Sequence, residues 1–161
     1  MLPASINRYL EQHGVHFCVV EHPIAYTAQE DAAATHVRGR EWAKAVVCMI
    51  DDRPMLAVLP ADRLVDLDRL REACGAHSAR LAREPEFRPF YADCEVGAMP
   101  PLGTLYGLPV YLDNSLAGQE TIAFNAGTHR EVMHMGMAEF RRIVSPEVVS
   151  AARELAFTRS W

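Results

Sequence analysis

One stretch of the chain, Glu95–Gly103, limits what it can fold into because it can be neither helix nor central strand. Its two adjacent prolines lack the N–H donors that both structures need, and Met99 before them is pushed out of the α region. A glycine on each side of the prolines permits hinge conformations that other residues resist. The pattern predicts a stiff, apolar loop that can present bare backbone groups to a small ligand. The alternative, a plain connection between two segments of sheet, stays open on this evidence.

Length and charge restrict the class of protein. The chain has 161 residues, of which 50% are hydrophobic, and this predicts a single domain over residues 1–161 with a substantial core. Its formal net charge of −5 argues against broad wrapping of nucleic acid, which needs a basic face, but permits contact with a short RNA end. The sequence has no run long and apolar enough for a membrane span and no signal-peptide pattern at its start. We therefore expect a cytoplasmic protein with neither DNA nor a membrane as a partner.

The cysteines and histidines do not form a recognisable metal or disulfide pattern. The cysteines are widely scattered, with no C-x-x-C pair, which is typical of free thiols: Cys18, Cys48, Cys74 and Cys94. Cys94 lies close to the Gly/Pro loop and is a candidate nucleophile, although a buried apolar thiol is the simpler interpretation. His129 and His134 have an odd spacing, which on a strand points them to opposite faces. We expect neither a metal site nor a cofactor.

Lysine is used at a single position, Lys44, although the chain has 16 basic residues. A lysine kept where arginine is otherwise used suggests a need for a compact ammonium rather than a planar guanidinium. Lys44 directly precedes the apolar run Ala45–Asp51, so it lies at the mouth of a predicted buried strand, where a side chain can project into a cleft. The alternative is that coding bias and chance explain the single lysine. Arg38 and Arg40 make the preceding segment basic, which suits either phosphate contacts or a solvated loop.

Periodicity and turn signals predict interleaved helices and strands. The predicted helices are Pro3–His13, Thr27–Thr35, a segment from Asp66 or Asp68 to Cys74, Glu84–Tyr91, Met137–Val144 and Ser145–Ala156. The predicted strands are Phe17–Glu21, Ala45–Asp51 in a hairpin with Met55–Leu59, Leu108–Asp113, Gln119–Asn125 and Glu131–Met135. Hairpins dominate the strand connections. The fold class expected is α+β, with a mixed, mostly antiparallel sheet curled into a barrel and helices packed around it.

Three segments, in order along the chain, carry a resemblance to a known family: Trp42–Val47 with its lysine, the G-x-x-x-P loop Gly97–Pro101, and the turn Asn125–His129. A fourth is Glu21-His22-Pro23. Together they resemble the YbaK/prolyl-tRNA synthetase editing-domain family, the aminoacyl-tRNA deacylases. The order and spacing extend over nearly the whole chain, so the resemblance is to a free-standing member.

The resemblance implies a barrel-like fold and hydrolysis of the ester that joins a wrong amino acid to tRNA. It implies no metal and no covalent enzyme intermediate, since the terminal ribose hydroxyl or a water attacks. Lys44 would bind the phosphate of the terminal nucleotide, and the backbone of Gly97 and Ala98 would stabilise the developing oxyanion. The residues implied to contact the aminoacyl group or line its pocket are Met99, Pro101, Asn125, Gly127 and His129.

The expected partner is the 3′ end of a tRNA carrying a misattached small amino acid such as Ala, Ser, Thr or Cys, because a pocket sorts small side chains mostly by size. An aminoacyl-tRNA synthetase as a further partner is left open. A competing hypothesis is a non-catalytic module of the same fold that senses tRNA or a nucleotide. Turnover of mischarged tRNA separates the two.

Overall fold

A computed structural model describes residues 2–21 and 37–155, so the predicted helix Thr27–Thr35 lies outside the described residues. The helices are α1 Ala4–Gln12, α2 Leu67–Ala73, α3 Glu84–Phe87, α4 Asn114–Ala117 and α5 Met137–Val144. Short 3-10 turns cover Gly39–Glu41, Arg88–Tyr91 and Gly103–Tyr106. The strands are β1 Phe17–Glu21, β2 Ala43–Ile50, β3 Arg53–Pro60, β4 Arg63–Val65, β5 Ala79–Leu81, β6 Val110–Asp113, β7 Thr121–Asn125, β8 Glu131–Gly136, β9 Glu147–Val149 and β10 Ala152–Glu154.

The described strands form three sheets. One has the order β5-β2-β3-β6-β9, a second the order β1-β8-β7, and β10 pairs with β4. Only β3–β6 and β6–β9 are parallel among the paired strands of the described residues. A parallel bridge between Trp42 and Ala123 joins the two larger sheets without closing them into a complete barrel. The predicted α+β class with a mixed, mostly antiparallel, curled sheet is confirmed.

The hairpin of β2 and β3 follows from its turn chemistry. Asp51 and Asp52 both have positive φ, +48° and +63°, as a two-residue hairpin turn with the right-handed strand twist requires. The turn therefore lies one residue earlier than Asp52–Pro54, where the sequence predicts it, and Pro54 belongs to β3. The Asp51 carboxylate accepts hydrogen bonds from the amides of His77 and Ser78, each at 2.9 Å, which fixes the turn against β5.

The main core lies on one side of the larger sheets. The predicted face of α1 is buried there, as are the apolar residues of α5: Ile6, Tyr9, Leu10, Met137, Phe140, Ile143 and Val144. β2 contributes Ala43 and Val47 to this core, whereas Cys48 and Val46 belong to a smaller cluster behind the sheet. Because side chains alternate along a strand, β2 has a main-core face and an opposite face, here called the outer face.

The helix predicted from Ser145 onward is wrong. Ser145 ends α5 in the left-handed region, with φ +50°, and two short strands, β9 and β10, follow. Val148 pairs in parallel with Leu112 of β6, and the buried Asp113 carboxylate accepts a hydrogen bond of 2.8 Å from the Ala151 amide. Adjacent valines favour a strand, and this long-range pairing outweighs the local Ser-Pro signal for a helix start.

Two other predicted elements differ in detail. The helix expected over Glu84–Tyr91 is split into α3 and a 3-10 turn that contains Pro89, since proline at this place removes an intrahelical hydrogen bond. Of the two aspartates considered for the start of α2, Asp66 is the cap, and its side chain accepts a hydrogen bond of 3.1 Å from the Arg69 amide.

Candidate active site

The G-x-x-x-P loop begins with a tight turn from Glu95 to Ala98. The Ala98 amide donates a 3.0 Å hydrogen bond to the Glu95 carbonyl, and Gly97 has φ +85°. A turn closed in this way with a positive φ at its third residue favours glycine there, because a Cβ would be strained. Gly97 is thus required by the shape of the loop, which leaves its backbone at the surface.

This turn is joined to the predicted turn between β7 and β8 by backbone hydrogen bonds. The Glu95 amide donates to the Gly127 carbonyl at 2.8 Å, and the Gly127 amide donates to the Ala98 carbonyl at 2.9 Å. The Nε2–H of His129 donates to the Val96 carbonyl at 2.7 Å. The structure therefore brings together two of the three segments singled out in the sequence, although about thirty residues separate them.

The second half of the loop is an anchor in the core. Ala98, Pro101 and Leu102 are buried, and Met99 is partly buried against the main core. Only the tip, Glu95 to Gly97, is exposed. Pro101 consequently supports the loop from inside the fold, while the exposed backbone at the tip is the part that can meet a ligand.

The amide of Gly97 differs from that of Ala98, with which it is paired in the predicted oxyanion site. The Ala98 amide is engaged by the Glu95 carbonyl, so it holds the turn closed. No described group accepts a hydrogen bond from the Gly97 amide. Within the described residues, the Gly97 amide is thus available to an oxygen of a ligand, whereas the Ala98 amide is already engaged.

The turn after β7 is shaped by its own residues and by α1. The Thr128 hydroxyl accepts hydrogen bonds from the Arg130 and Glu131 amides, which closes the turn locally. Gly127 has φ +93°, and a Cβ there would lie 2.6 Å from Pro3 Cγ. Gly127 is thus a close-packing residue beneath α1. Asn125 and His129 are also buried, at 6% and 5% exposure, so they can form the wall of a pocket rather than its rim.

Lys44 lies on the outer face of β2, two residues after the bridge between Trp42 and Ala123 that joins the two larger sheets. Its amine donates to the Arg63 carbonyl. The described contacts thus bind the Lys44 amine to Arg63 and not to the Gly97 loop.

The Lys44 side chain is half-buried. Burial lowers its pKa from the usual lysine value, and the nearby Asp62 carboxylate opposes that change. With three donors, the ammonium can keep the Arg63 carbonyl and still bind a ligand oxygen.

Cys94 is poorly suited to be a nucleophile. Its thiol lies 3.4 Å from the Tyr106 hydroxyl and 3.5 Å from the Asp93 carboxylate. Burial raises the pKa of Cys94 to about 12, so the reactive thiolate is strongly disfavoured at neutral pH.

The remaining residues considered in the sequence fall outside this arrangement. Arg38 and Arg40 are exposed beside the turn that leads into β2. Burial lowers the pKa of His134, which lies opposite Cys18 on β1. In residues 2–21 and 37–155, no group of three or more His, Cys, Asp or Glu side chains is arranged to hold a metal ion. None of the described helices is both long and apolar enough to cross a membrane.

Sequence reasoning missed two contacts that shape the site. Glu95 binds the neighbouring turn through its amide and also through its side chain, which accepts a 3.4 Å hydrogen bond from the His129 amide. Arg63 binds Lys44 through its carbonyl. A hydrogen bond between the main chains of distant residues does not depend on residue type, so the sequence does not reveal it. The position of Glu95 at the start of the loop was the only indication that it contributes to the site.

Comparison with known proteins decides the family. The model of the aminoacyl-tRNA editing domain matches residues 22–143, which include all three segments of the site. The chain belongs to the aminoacyl-tRNA editing domain family. The predicted family and the predicted enzyme class, an aminoacyl-tRNA deacylase, are thereby confirmed.

Individual relatives agree with this assignment. The chain is 32% identical over 152 residues to the multifunctional Ser/Thr-tRNA deacylase ProXp-y of Escherichia coli K12, with 89% of each protein covered. A candidate trans-editing enzyme for prolyl tRNA synthetase superposes with a TM-score of 0.82 at 26% identity, covering 95% of this chain and 99% of that one. A candidate signal transduction protein from Marinobacter aquaeolei shares the fold alone, over 96% of this chain and 31% of that one, with a TM-score of 0.69 at 18% identity.

The packing of Gly127 generates a stability prediction. We expect Gly127→Ala to destabilise the protein by about 1–3 kcal/mol or more, because the new methyl is strained at positive φ and meets Pro3. Gly118→Ala is the matched control, since Gly118 has φ −79° and open space around its Cα. Urea unfolding measures both. Equal stabilities of the two variants would show that Gly127 is not closely packed.

The environment of Cys94 generates a second prediction. We expect Cys94→Ser to deacylate mischarged tRNA within about 3-fold of the wild-type rate, since a thiol kept protonated contributes no nucleophile. Single-turnover kinetics measure the chemical step. A loss of 100-fold or more in a folded Cys94→Ser protein would indicate a covalent cysteine mechanism.

Proposed function

We propose that this protein is a trans-editing deacylase that hydrolyses the ester of a tRNA mischarged with a small amino acid. Ser and Thr are the amino acids that we propose as its preferred substrates. Family membership supplies the reaction class. The E. coli relative is named a Ser/Thr-tRNA deacylase, and both amino acids are among the small side chains expected from the sequence. A synthetase partner stays a prediction.

The observation that carries the proposal is the pairing of the Glu95–Ala98 turn with the turn around Gly127. Three hydrogen bonds fix the loop tip and leave the Gly97 amide at the surface, where it can donate to the ester oxygen. A preorganised donor aimed at a developing oxyanion is worth about 3–4 kcal/mol in the transition state of an acyl transfer. Ala98 assists by keeping the turn closed rather than by donating directly.

Lys44 is the group proposed to bind the phosphate of the terminal nucleotide. It follows the bridge to β7 by two residues, as Asn125 does on β7 itself, so one ligand is proposed to reach from the lysine to the buried wall of the turn. Met99, Asn125, Gly127 and His129 are proposed to surround the aminoacyl group, with Pro101 supporting the loop from within the core.

Hydrolysis on this surface needs no nucleophilic side chain. An aminoacyl ester is already activated, and holding it beside a water or the terminal ribose hydroxyl can supply much of the remaining barrier. The raised pKa of Cys94 is consistent with attack by such an oxygen nucleophile. Membership of an editing family favours this enzyme over a non-catalytic sensor of tRNA or nucleotides.

The proposed substrate class predicts a ranked outcome in a deacylation screen. Purified protein should hydrolyse seryl- and threonyl-tRNA at least about 100-fold faster than tRNA carrying a large side chain such as Phe or Leu. A small pocket excludes large side chains strongly, whereas it separates side chains that differ by one methylene only weakly. Release of labelled amino acid measures the rates. Equal rates for all esters would contradict a size-limited pocket, and no turnover of any ester would favour the sensor.

The proposed role of Lys44 predicts the effect of removing its ammonium. Lys44→Ala should lower kcat/KM by about 100-fold or more, because the terminal nucleotide loses its phosphate contact and is misplaced in the site. The fold should persist, since the lost hydrogen bond to the Arg63 carbonyl is worth only about 1 kcal/mol. Arg8→Ala is the control, as it removes one positive charge from the exposed side of α1. Deacylation by folded Lys44→Ala at the Arg8→Ala rate would refute the assignment.

A further inference from the structure

Beside Lys44, the outer face of the sheet carries a groove of about 340 Å³. This volume lies in the range of small-molecule sites, about 300–1,000 Å³. Its floor is apolar and its two charged residues are both cations: Lys44, Val46, Leu64, Val65, Leu67, Leu81 and Arg153. Leu81 is 52% exposed, so its apolar side chain is accessible to a ligand.

The charge of the groove differs from that of the whole protein. The chain has a net charge of −5, yet the groove is lined by Lys44 and Arg153 and by no carboxylate. The nearby acids Asp62 and Glu154 line a separate pocket with Arg63. The groove therefore suits an anionic ligand that also has an apolar surface.

Arg153 is available for such a ligand. Six described arginines lie within 4.0 Å of a carboxylate: Arg69, Arg71, Arg80, Arg83, Arg88 and Arg142. No described carboxylate pairs with the guanidinium of Arg153, which is exposed on β10. Within the described residues, the positive charge of Arg153 thus stabilises no ion pair of the fold.

Strand pairing links Arg153 to Lys44. The Lys44 amine binds the carbonyl of Arg63, and the next residue, Leu64, lies directly opposite Arg153 in the β4–β10 pair. Directly opposite residues in an antiparallel pair have Cα atoms about 4.5–5.5 Å apart. The two cations therefore border one continuous surface. Arg153 lies on β10, beyond residues 22–143, which the family model matches.

We propose that this groove binds the single-stranded 3′ end of the tRNA just before its aminoacylated nucleotide, with Arg153 holding a backbone phosphate and the apolar floor contacting a base. The inference rests on the proposed function of Lys44 as the site of the terminal phosphate. A single strand of RNA complements both features of the groove, because its phosphates can bind the two cations and its base faces can contact the apolar floor. Arg153 is thus a binding residue for the tRNA rather than part of the reaction chemistry.

Binding of uncharged tRNA tests the groove without any deacylation. Arg153→Ala should weaken binding about 3- to 10-fold and reduce the slope of log K against log salt by about 0.7, the value of one phosphate on a single strand. Arg141→Ala is the matched control, because Arg141 is exposed on α5, which packs on the main-core face. Equal losses in both variants would mean a non-specific charge effect and would overturn the proposal, as would unchanged binding by Arg153→Ala.

A second variant tests the floor. Leu81→Glu places a carboxylate in the groove lined by the two cations, on an exposed side chain, so the fold should tolerate it and tRNA binding should fall by about 10-fold or more. A tRNA trimmed of its single-stranded 3′ end should bind wild-type protein more weakly, and Arg153→Ala should then cause no further loss. An undiminished effect of Arg153→Ala on the trimmed tRNA would assign Arg153 to another part of the RNA and overturn the proposal.

Kinetics separate this inference from the function on which it rests. With a mischarged tRNA that the wild type deacylates, Arg153→Ala should raise KM with kcat unchanged, the signature of lost uniform binding. Normal KM in an active Arg153→Ala enzyme would reject the groove and leave the editing function standing. If the wild type deacylates nothing, the editing function fails, and the binding data with uncharged tRNA still decide the groove. Competition by adenosine monophosphate as strong as that by tRNA would identify a free-nucleotide site instead and overturn the proposal.

Discussion

The candidate site depends on two hydrogen bonds, from the Glu95 amide to the Gly127 carbonyl and from the Gly127 amide to the Ala98 carbonyl. They join two turns that are distant in the chain, and they leave the Gly97 amide at the exposed tip of the loop with no acceptor among the described residues. Because both bonds are made by the main chain, they demand backbone shape rather than particular side chains. That demand explains glycine at 97 and at 127, where φ is +85° and +93°.

The bridge between Trp42 and Ala123 joins the sheet that contains β2 to the sheet that contains β7. Lys44 follows this bridge by two residues on β2, and Asn125 follows it by two residues on β7. The proposed reaction surface therefore draws on residues of both sheets, and each sheet alone carries only part of it.

Local signals in the sequence were sufficient for much of this. The apolar face of α1, the β2–β3 hairpin and the turn at Asn125–His129 could be predicted because each depends on residues close in the chain, and the ordered motifs were enough to identify the family. The strands after Ser145 could not, because they form by pairing with β6 rather than by local preference. The hydrogen bonds made by the Ala98 amide and the Arg63 carbonyl could not be predicted either. Nearly all residue types carry these backbone groups, so only the folded structure shows which of them are used.

The position of α1 has a consequence for how the protein assembles. Pro3 and Ile6 cover Gly127, and Ser5 donates to the Asp93 carboxylate just ahead of the loop, so one helix braces both turns. Ser5 and Asp93 are 88 positions apart in the chain. Closing so long a loop costs only modestly more entropy than closing a short one, but it is slower than forming a hairpin. The hairpin can form early from neighbouring residues, whereas the candidate site is completed only when α1 docks on both turns. Competence for editing is then among the last properties that the folding chain acquires.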